Sequence, residues 1–349
     1  MLLLLNRWTI MRQKPGTTGK SIMAIPCRHF PFVRKSFIRS INSEAGRIQE
    51  QENKLMNPKG TRKSISTAAL LAALSCFSCS AAEEAVIPDK NKDQGRFIDA
   101  HVHFHACKPG ELDKAAEWMK SNNVQRIINY PLAESRPKND AERKQMLENY
   151  AKYKGSMGRA CVIFPEEVNS VEEAVKLLAK EKEDGAVAFG EHYGGGLEFD
   201  DPRNLRLYEA CAKVGLPVMI HMGGKGLPAL ERVLKLYPDC MIIAHSSAWW
   251  RYLPDGSCDR LLKIYPNLYA DISCSSKSSL LIKDKKFGKE FLVRNADKLL
   301  FGSDNSWSSL GGKSGVGEFA LIDDLALPAD VEDKICRKNA ERLFFSHSP

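Results

Sequence analysis

The segment Phe97–Cys107, FIDAHVHFHAC, places His101, His103 and His105 at alternate positions, with Asp99 two residues before the first. The chain has only eight histidines, so three within five positions is a strong signal. Neutral imidazoles are common ligands of divalent ions. Residues two apart on a strand share a face, so His101 and His103 would present both rings to one side. A metal site needs further ligands, and the candidates stand far away in the chain. They are Glu191 and His192 in GAVAFGEH, His221 in PVMIHM, His245 in CMIIAHSS and Asp304 in KLLFGSD.

Each of these residues closes a short apolar run. Eight such runs follow one another, beginning near residues 96, 124, 159, 185, 217, 240, 267 and 298. Between them lie stretches of helical period, such as GELDKAAEWMKSN, with Leu112, Ala115, Ala116 and Met119 on one stripe. Near-continuous apolar strands alternating with helices predict a parallel sheet covered by helices. Eight repeats predict an α/β fold of the (β/α)8 TIM-barrel type, in a single domain over residues 96–349. The alternative, a doubly wound sheet, would want a glycine-rich phosphate turn after the first strand. The segment there is HFHACKPG.

In a barrel, chemistry gathers at the carboxyl ends of the strands. One histidine at a strand end reads first as a hydrogen-bonded core residue. Strands one, four, five, six and eight all delivering His, Glu or Asp to one rim read as a site. Three imidazoles and a carboxylate with one position open suit a catalytic divalent ion, zinc first and manganese second. Such an ion lowers the pKa of bound water towards ~7 and polarises a carbonyl. These residues do not by themselves separate ligand from base.

DAHVH, IH, AH and FGSD, in that order, resemble the amidohydrolase superfamily. YPDCMIIAHSS, YPNLYADIS, KLLFGSD and NAERLFF are similar to its amidohydrolase-related branch, the amidohydrolase 2 family. The resemblance spans about Phe97 to Phe345. It implies His101, His103, His221 and Asp304 as ligands of one metal ion, Asp304 also as proton shuttle, and His245 as a catalytic residue assisting substrate or water. Binuclear relatives carry a bridging carboxylated Lys or a Glu on strand four, so Glu191 and His192 are candidates for a second metal or for substrate. Where many relatives follow FGSD with an aromatic and a proline, this chain has NSW. The function this implies is metal-dependent hydrolysis, an activated water attacking an amide, ester or lactone carbonyl of a small organic substrate. The alternatives are a non-oxidative decarboxylase of the same family, a TatD-like binuclear phosphodiesterase, and a barrel that binds without catalysis. His105, Lys225, Trp249 and Arg251 are candidate substrate contacts. Asp99 is expected to be a buried acceptor behind the ligands.

The formal charge of +8 suggests nucleic acid, but its distribution does not. Residues 1–63 carry a surplus of ten positive charges, leaving the remainder slightly acidic with no basic block. No nucleic-acid partner is expected. Residues 1–55 read as an over-extended start outside the mature protein. Residues 56–82 read as a secretory signal peptide, with a basic MNPKGTRKS, an apolar ISTAALLAALSCF and small residues for cleavage. Residues 83–95 form a linker. The expectation is export to the bacterial periplasm or cell envelope, with no membrane-spanning segment in the mature chain; lipid attachment at Cys76 or Cys79 and a homo-oligomer remain open. The seven cysteines from Cys107 onward show no CxxC pair and read as small buried hydrophobes rather than a disulfide framework.

Overall fold

The computed structural model describes residues 95–223, 226–274, 280–306 and 316–346. The segments 1–55 and 56–82, nearly all of 83–95, and Lys225 lie outside the described residues.

The runs read from the sequence form the strands β1 (Phe97–His103), β2 (Val124–Asn129), β3 (Met157–Cys161), β4 (Ala186–His192), β5 (Val218–His221), β6 (Ile242–His245), β7 (Leu268–Asp271) and β8 (Leu299–Leu300), with a short β9 (Asn305–Ser306). All pairings are parallel and consecutive. The eighth strand of the barrel is split. Its first piece, β8, pairs with β7, and its second, β9, pairs with β1. Across the gap, Ala100 N donates to Phe301 O at 2.9 Å and Asp304 N to His101 O at 2.9 Å. The two pieces therefore close the sheet into a barrel.

Helices cover the outside. Side-chain oxygens of Asn139, Ser170 and Asp201 accept from backbone N–H groups at the starts of Asp140–Ala151, Val171–Glu183 and Pro202–Val214. In Glu111–Ser121, Leu112, Ala115 and Met119 are buried, as the stripe predicts. The larger core lies between strands and helices and contains Phe189, Leu207, Tyr208, Val233, Trp249 and Phe291. A smaller core fills the barrel: Ile98, Ala100, Ile128, Tyr130, Ala188, Met219, Ile243 and Leu300. The terminal helix Ala329–Asp333 continues into wider π-type turns, and Ala340 and Phe344 join this inner cluster. Asn339 Nδ2 donates to Ala296 O at 2.7 Å and Leu299 O at 2.8 Å, anchoring that segment near the start of β8. The barrel is thus sealed at the amino ends of its strands. Five of the seven cysteines in the barrel are buried, as free thiols.

No described helix is long and apolar enough to cross a membrane.

Candidate active site

Strand β1 carries two kinds of inward residue. Ile98 and Ala100 belong to the inner apolar floor, whereas His101 and His103 meet each other above it. Strict alternation would not allow both sets. The pairing of β1 with β2 is irregular between Asp99 and Val102, and such an irregularity re-aims the residues beyond it. The Nε2 atoms of His101 and His103 lie 3.1 Å apart.

Glu191 enters from β4. The preceding Gly190 has φ of 126°, and a Cβ there would lie 2.6 Å from Met219 O, so only glycine fits. Glu191 Oε2 lies 3.4 Å from His103 Nε2 and 3.8 Å from His101 Nε2. Its Oε1 lies 3.3 Å from His245 Nε2 and also contacts His221 Nδ1. Asp304 sits in the break of the eighth strand with φ of 53°, its Oδ1 3.3 Å from His103 Nε2. Of the five described non-glycine residues with positive φ, three (Ser246, Cys274 and Asp304) follow or end barrel strands at this rim. Backbone strain tends to collect at such sites.

The tautomers follow from the neighbours. His103 Nδ1 lies 2.9 Å from Tyr130 O, which can only accept, so Nδ1 carries the hydrogen. His101 Nδ1 lies 2.7 Å from Asp271 Oδ2. His245 Nδ1 lies 3.1 Å from Asp271 Oδ1 and 2.7 Å from Ser273 Oγ, whose own hydrogen goes to Asp271 Oδ1 at 2.6 Å. With Nδ1 turned to these partners, all three rings aim Nε2 at the centre, where a neutral ring offers a lone pair. There they face two ionised carboxylates, Glu191 and Asp304. Acceptors crowded at 3.1–3.8 Å require positive charge between them. Tetrahedral ligands at ~2.0–2.1 Å from a zinc ion would stand roughly 3.3 Å apart, so the donor set fits a divalent ion.

The electrostatics agree. Burial opposes charge on His101, yet Asp271 and Glu191 beside it raise its pKa well above the usual range. Burial would push Glu191 up, but His101, His221 and His245 hold it well below the carboxylate range. Asp271 and Asp304 are likewise lowered by adjacent histidines against the effect of burial. Without a metal, only protons can relieve the excess of acceptors, which is the sense of these shifts. Protons and a metal ion would compete for the same lone pairs.

Three overlapping ligand groups result: His101, His245 and Asp304; His101, His103 and Glu191; and Glu191, His221 and His245. His221, expected beside the β1 pair, instead groups with Glu191 and His245. Glu191 belongs to two groups and is central rather than peripheral. Exposure within the ring is uneven. His101, His103, Glu191 and His245 are buried, while the side chains of Asp304 and His221 are 27% and 34% exposed.

His192 is a correction. It is 2% exposed and packs edge-on to Tyr208 in the outer layer, on the opposite face of β4 from Glu191, so it joins no ligand group. Burial lowers its pKa to about 4. Unfolded histidine titrates near ~6.5. As pH falls from 6.5 to 4, only the unfolded chain takes up this proton, so the folded state loses stability across that window. The loss is on the order of 3 kcal/mol. His192→Gln is expected to flatten the difference between urea midpoints at pH 4.5 and 7 relative to the parent chain. Equal pH dependence in both would refute the assignment.

Trp249 is a second correction: it is fully buried in the outer core and lines no open pocket. Trp250 is buried too, its Nε1 donating to Ser273 O at 3.0 Å. Arg251 is exposed and His105 part-buried in the loop after β1. Asp99 is a buried acceptor, as expected, but for the backbone N–H groups of His101 (3.1 Å) and Ser303 (2.9 Å).

Three neighbours escape sequence reading: Asp271, Tyr193 and Cys274. The Tyr193 ring stacks on His221 at 4.4 Å, and its hydroxyl donates to Glu191 Oε2 at 2.8 Å. Cys274 Sγ donates to Asp304 Oδ2 at 3.1 Å. An aromatic residue directly after GEH was the only available signal for Tyr193. A separate cavity of about 260 Å³ lies outside the barrel wall, beside Asn129, Tyr150 and Arg159. There Asn129 pairs with the backbone of Phe104 and Arg159 with Glu181, and none of the lining residues belongs to the ring.

A closed parallel barrel with such a ring at its carboxyl rim defines an enzyme barrel of the kind whose chemistry sits on the strand ends. The chain belongs to the amidohydrolase family, whose model matches residues 98–345. Solved structures support the fold. A probable 2-pyrone-4,6-dicarboxylic acid hydrolase from Acinetobacter baumannii, with citric acid bound, is 14% identical, with a TM-score of 0.54 over 71% of this chain and 99% of that one. An amidohydrolase from Burkholderia multivorans with bound zinc is 14% identical, with a TM-score of 0.51 over 71% and 98%. The 5-carboxyvanillate decarboxylase from Sphingomonas paucimobilis is 12% identical, with a TM-score of 0.51 over 71% and 98%. No curated protein matches the chain. The family and these relatives indicate an enzyme of the amidohydrolase superfamily, which includes hydrolases and decarboxylases.

Proposed function

We propose that this protein is a metal-dependent hydrolase of small organic amides, esters or lactones. The observation that carries the reading is the convergence of three Nε2 lone pairs and two ionised carboxylates on one centre. His101, His103, Glu191 and Asp304 would hold the first ion, with zinc or manganese the best matches to this donor set. Glu191, His221 and His245 offer a second set sharing one carboxylate. A bound ion would supply Lewis acidity towards a carbonyl and acidify a water.

The chain's own groups do the remaining work. Asp304, ionised and part-exposed at the open side, would take a proton from water and return it to the leaving group. His245, fixed by Asp271 and Ser273 through Nδ1, would aim Nε2 at the substrate oxygen and stabilise its developing charge once that nitrogen carries a proton. Tyr193 is half-exposed at the mouth, and burial and Glu191 raise its pKa. It therefore stays a neutral donor. Tyr193→Phe is expected to lower kcat by about 10²-fold, with ion content unchanged. An unaltered kcat would remove Tyr193 from the chemistry.

The second reading is non-oxidative decarboxylation. A barrel of the same fold acts on 5-carboxyvanillate, and the same ring would bind a substrate carboxylate through its ion. The deciding experiment screens lactones, amides, esters and aromatic carboxylic acids with zinc-loaded and manganese-loaded protein. Hydrolysis of any of the first three supports the proposal. Carbon dioxide release alone would replace it with the second reading. Export through residues 56–82 belongs to the same proposal, and N-terminal sequencing of envelope material tests it.

A further inference from the structure

Asp271 ends β7 and is completely buried. Its two oxygens serve two different histidines. Oδ2 accepts from His101 Nδ1 at 2.7 Å, and Oδ1 lies 3.1 Å from His245 Nδ1. Oδ1 also accepts from Ser273 N at 3.1 Å and Ser273 Oγ at 2.6 Å. Because that hydroxyl gives its hydrogen to Asp271, its lone pairs face His245 Nδ1 at 2.7 Å. A carboxylate with every contact a donor is locked in place. It in turn locks both rings with Nδ1–H held and Nε2 aimed at the centre. His101 and His245 are the two histidines that occur in two ligand groups each. Gly302 closes the other side: a Cβ there would lie 3.1 Å from His101 Cβ and 3.3 Å from Asp271 Cγ.

We propose that Asp271 is the shared positioning residue of the site, one buried carboxylate that fixes His101 and His245 together, and that Ser273 extends its hold to His245 alone. The inference deepens the metal-site reading and rests on it for its affinity arm. Partners behind a ligating histidine typically contribute 10–100-fold to metal affinity. One carboxylate behind two rings places Asp271 at the upper end of that range. It also ties the affinity of the site to the orientation of His245, a link absent when each ring has its own acceptor.

The test compares the full chain with Asp271→Asn and Ser273→Ala in two readouts. Zinc affinity is measured by competition with a chromogenic chelator. The hydrogen-bonded Nδ1–H protons of His101 and His245 are followed as downfield resonances in protein labelled with ¹⁵N-histidine, with and without zinc. Asp271→Asn should weaken zinc about 10²-fold and abolish or shift both resonances. Ser273→Ala should weaken zinc less, shift the His245 resonance and leave that of His101 in place. Should Asp271→Asn fail to fold, the one-sided response of Ser273→Ala still decides. Parental affinity and both resonances retained in Asp271→Asn would overturn the proposal, as would Ser273→Ala moving both rings equally. If the parent chain binds no zinc, the metal-site reading fails, and the resonances of the metal-free protein still judge Asp271.

Discussion

His101→Ala is expected to lose its stoichiometric metal ion and to lower turnover by on the order of 10³-fold or more. A catalytic ion supplies several kcal/mol of transition-state stabilisation, and each 1.36 kcal/mol is about tenfold in rate. His101 provides one donor to two of the three ligand groups. Its loss also removes the donor that Asp271 Oδ2 accepts from in the buried interior. The effect should be graded around the ring. His221 belongs to one group and is a third exposed, so His221→Ala should keep more of the ion and more of the rate. Metal analysis and steady-state kinetics on the two variants check this order. A His101→Ala chain with full ion content and parental kcat would contradict the account of the ring.

Trp250→Ala is expected to carry the largest stability cost, about 3–5 kcal/mol for removing a buried tryptophan. The ring is 1% exposed and meets Phe291 edge-on at 6.0 Å. Its indole N–H is also a tether: it holds the carbonyl of Ser273, whose hydroxyl bridges Asp271 and His245. Truncation leaves that carbonyl unsatisfied, adding about 1–3 kcal/mol. Trp250→Phe keeps most of the apolar ring and should cost less while still freeing Ser273. Urea denaturation followed by circular dichroism measures both. A midpoint for Trp250→Ala within error of the parent would show that the outer core closes over the gap.

Much of this was legible before the structure. The eight apolar runs fall on the observed barrel strands within a few residues, because burial on both faces imposes continuous apolar sequence. His101 and His103 share a face as their spacing requires. The strand-end histidines and Asp304 reach one rim because parallel strands put all their carboxyl ends on one side. What the sequence could not show depends on distant pairings. Asp271 looks like any acidic residue in YPNLYADIS, and its partner His101 is 170 positions away. The central place of Glu191 depends on how far β4 leans over the barrel mouth, which no local pattern encodes. For His192 the spacing already favoured another place: adjacent residues on a regular strand point to opposite faces, so with Glu191 inward His192 faces the outer layer. Trp249 illustrates another limit, since an aromatic pair beyond a strand end suits a pocket wall and a helix–sheet core equally well.

The central claim is that the ring of acceptors exists to hold a divalent ion. The most direct test is metal content by plasma mass spectrometry. The protein is purified without chelator or nickel resin, then stripped and reconstituted with zinc or manganese. The account predicts at least one ion per folded chain, recovered on reconstitution and lost in Glu191→Ala, which removes the carboxylate common to two ligand groups. A folded chain that takes up neither metal would contradict it, leaving protons alone to balance His101, His103, His245, Glu191 and Asp304.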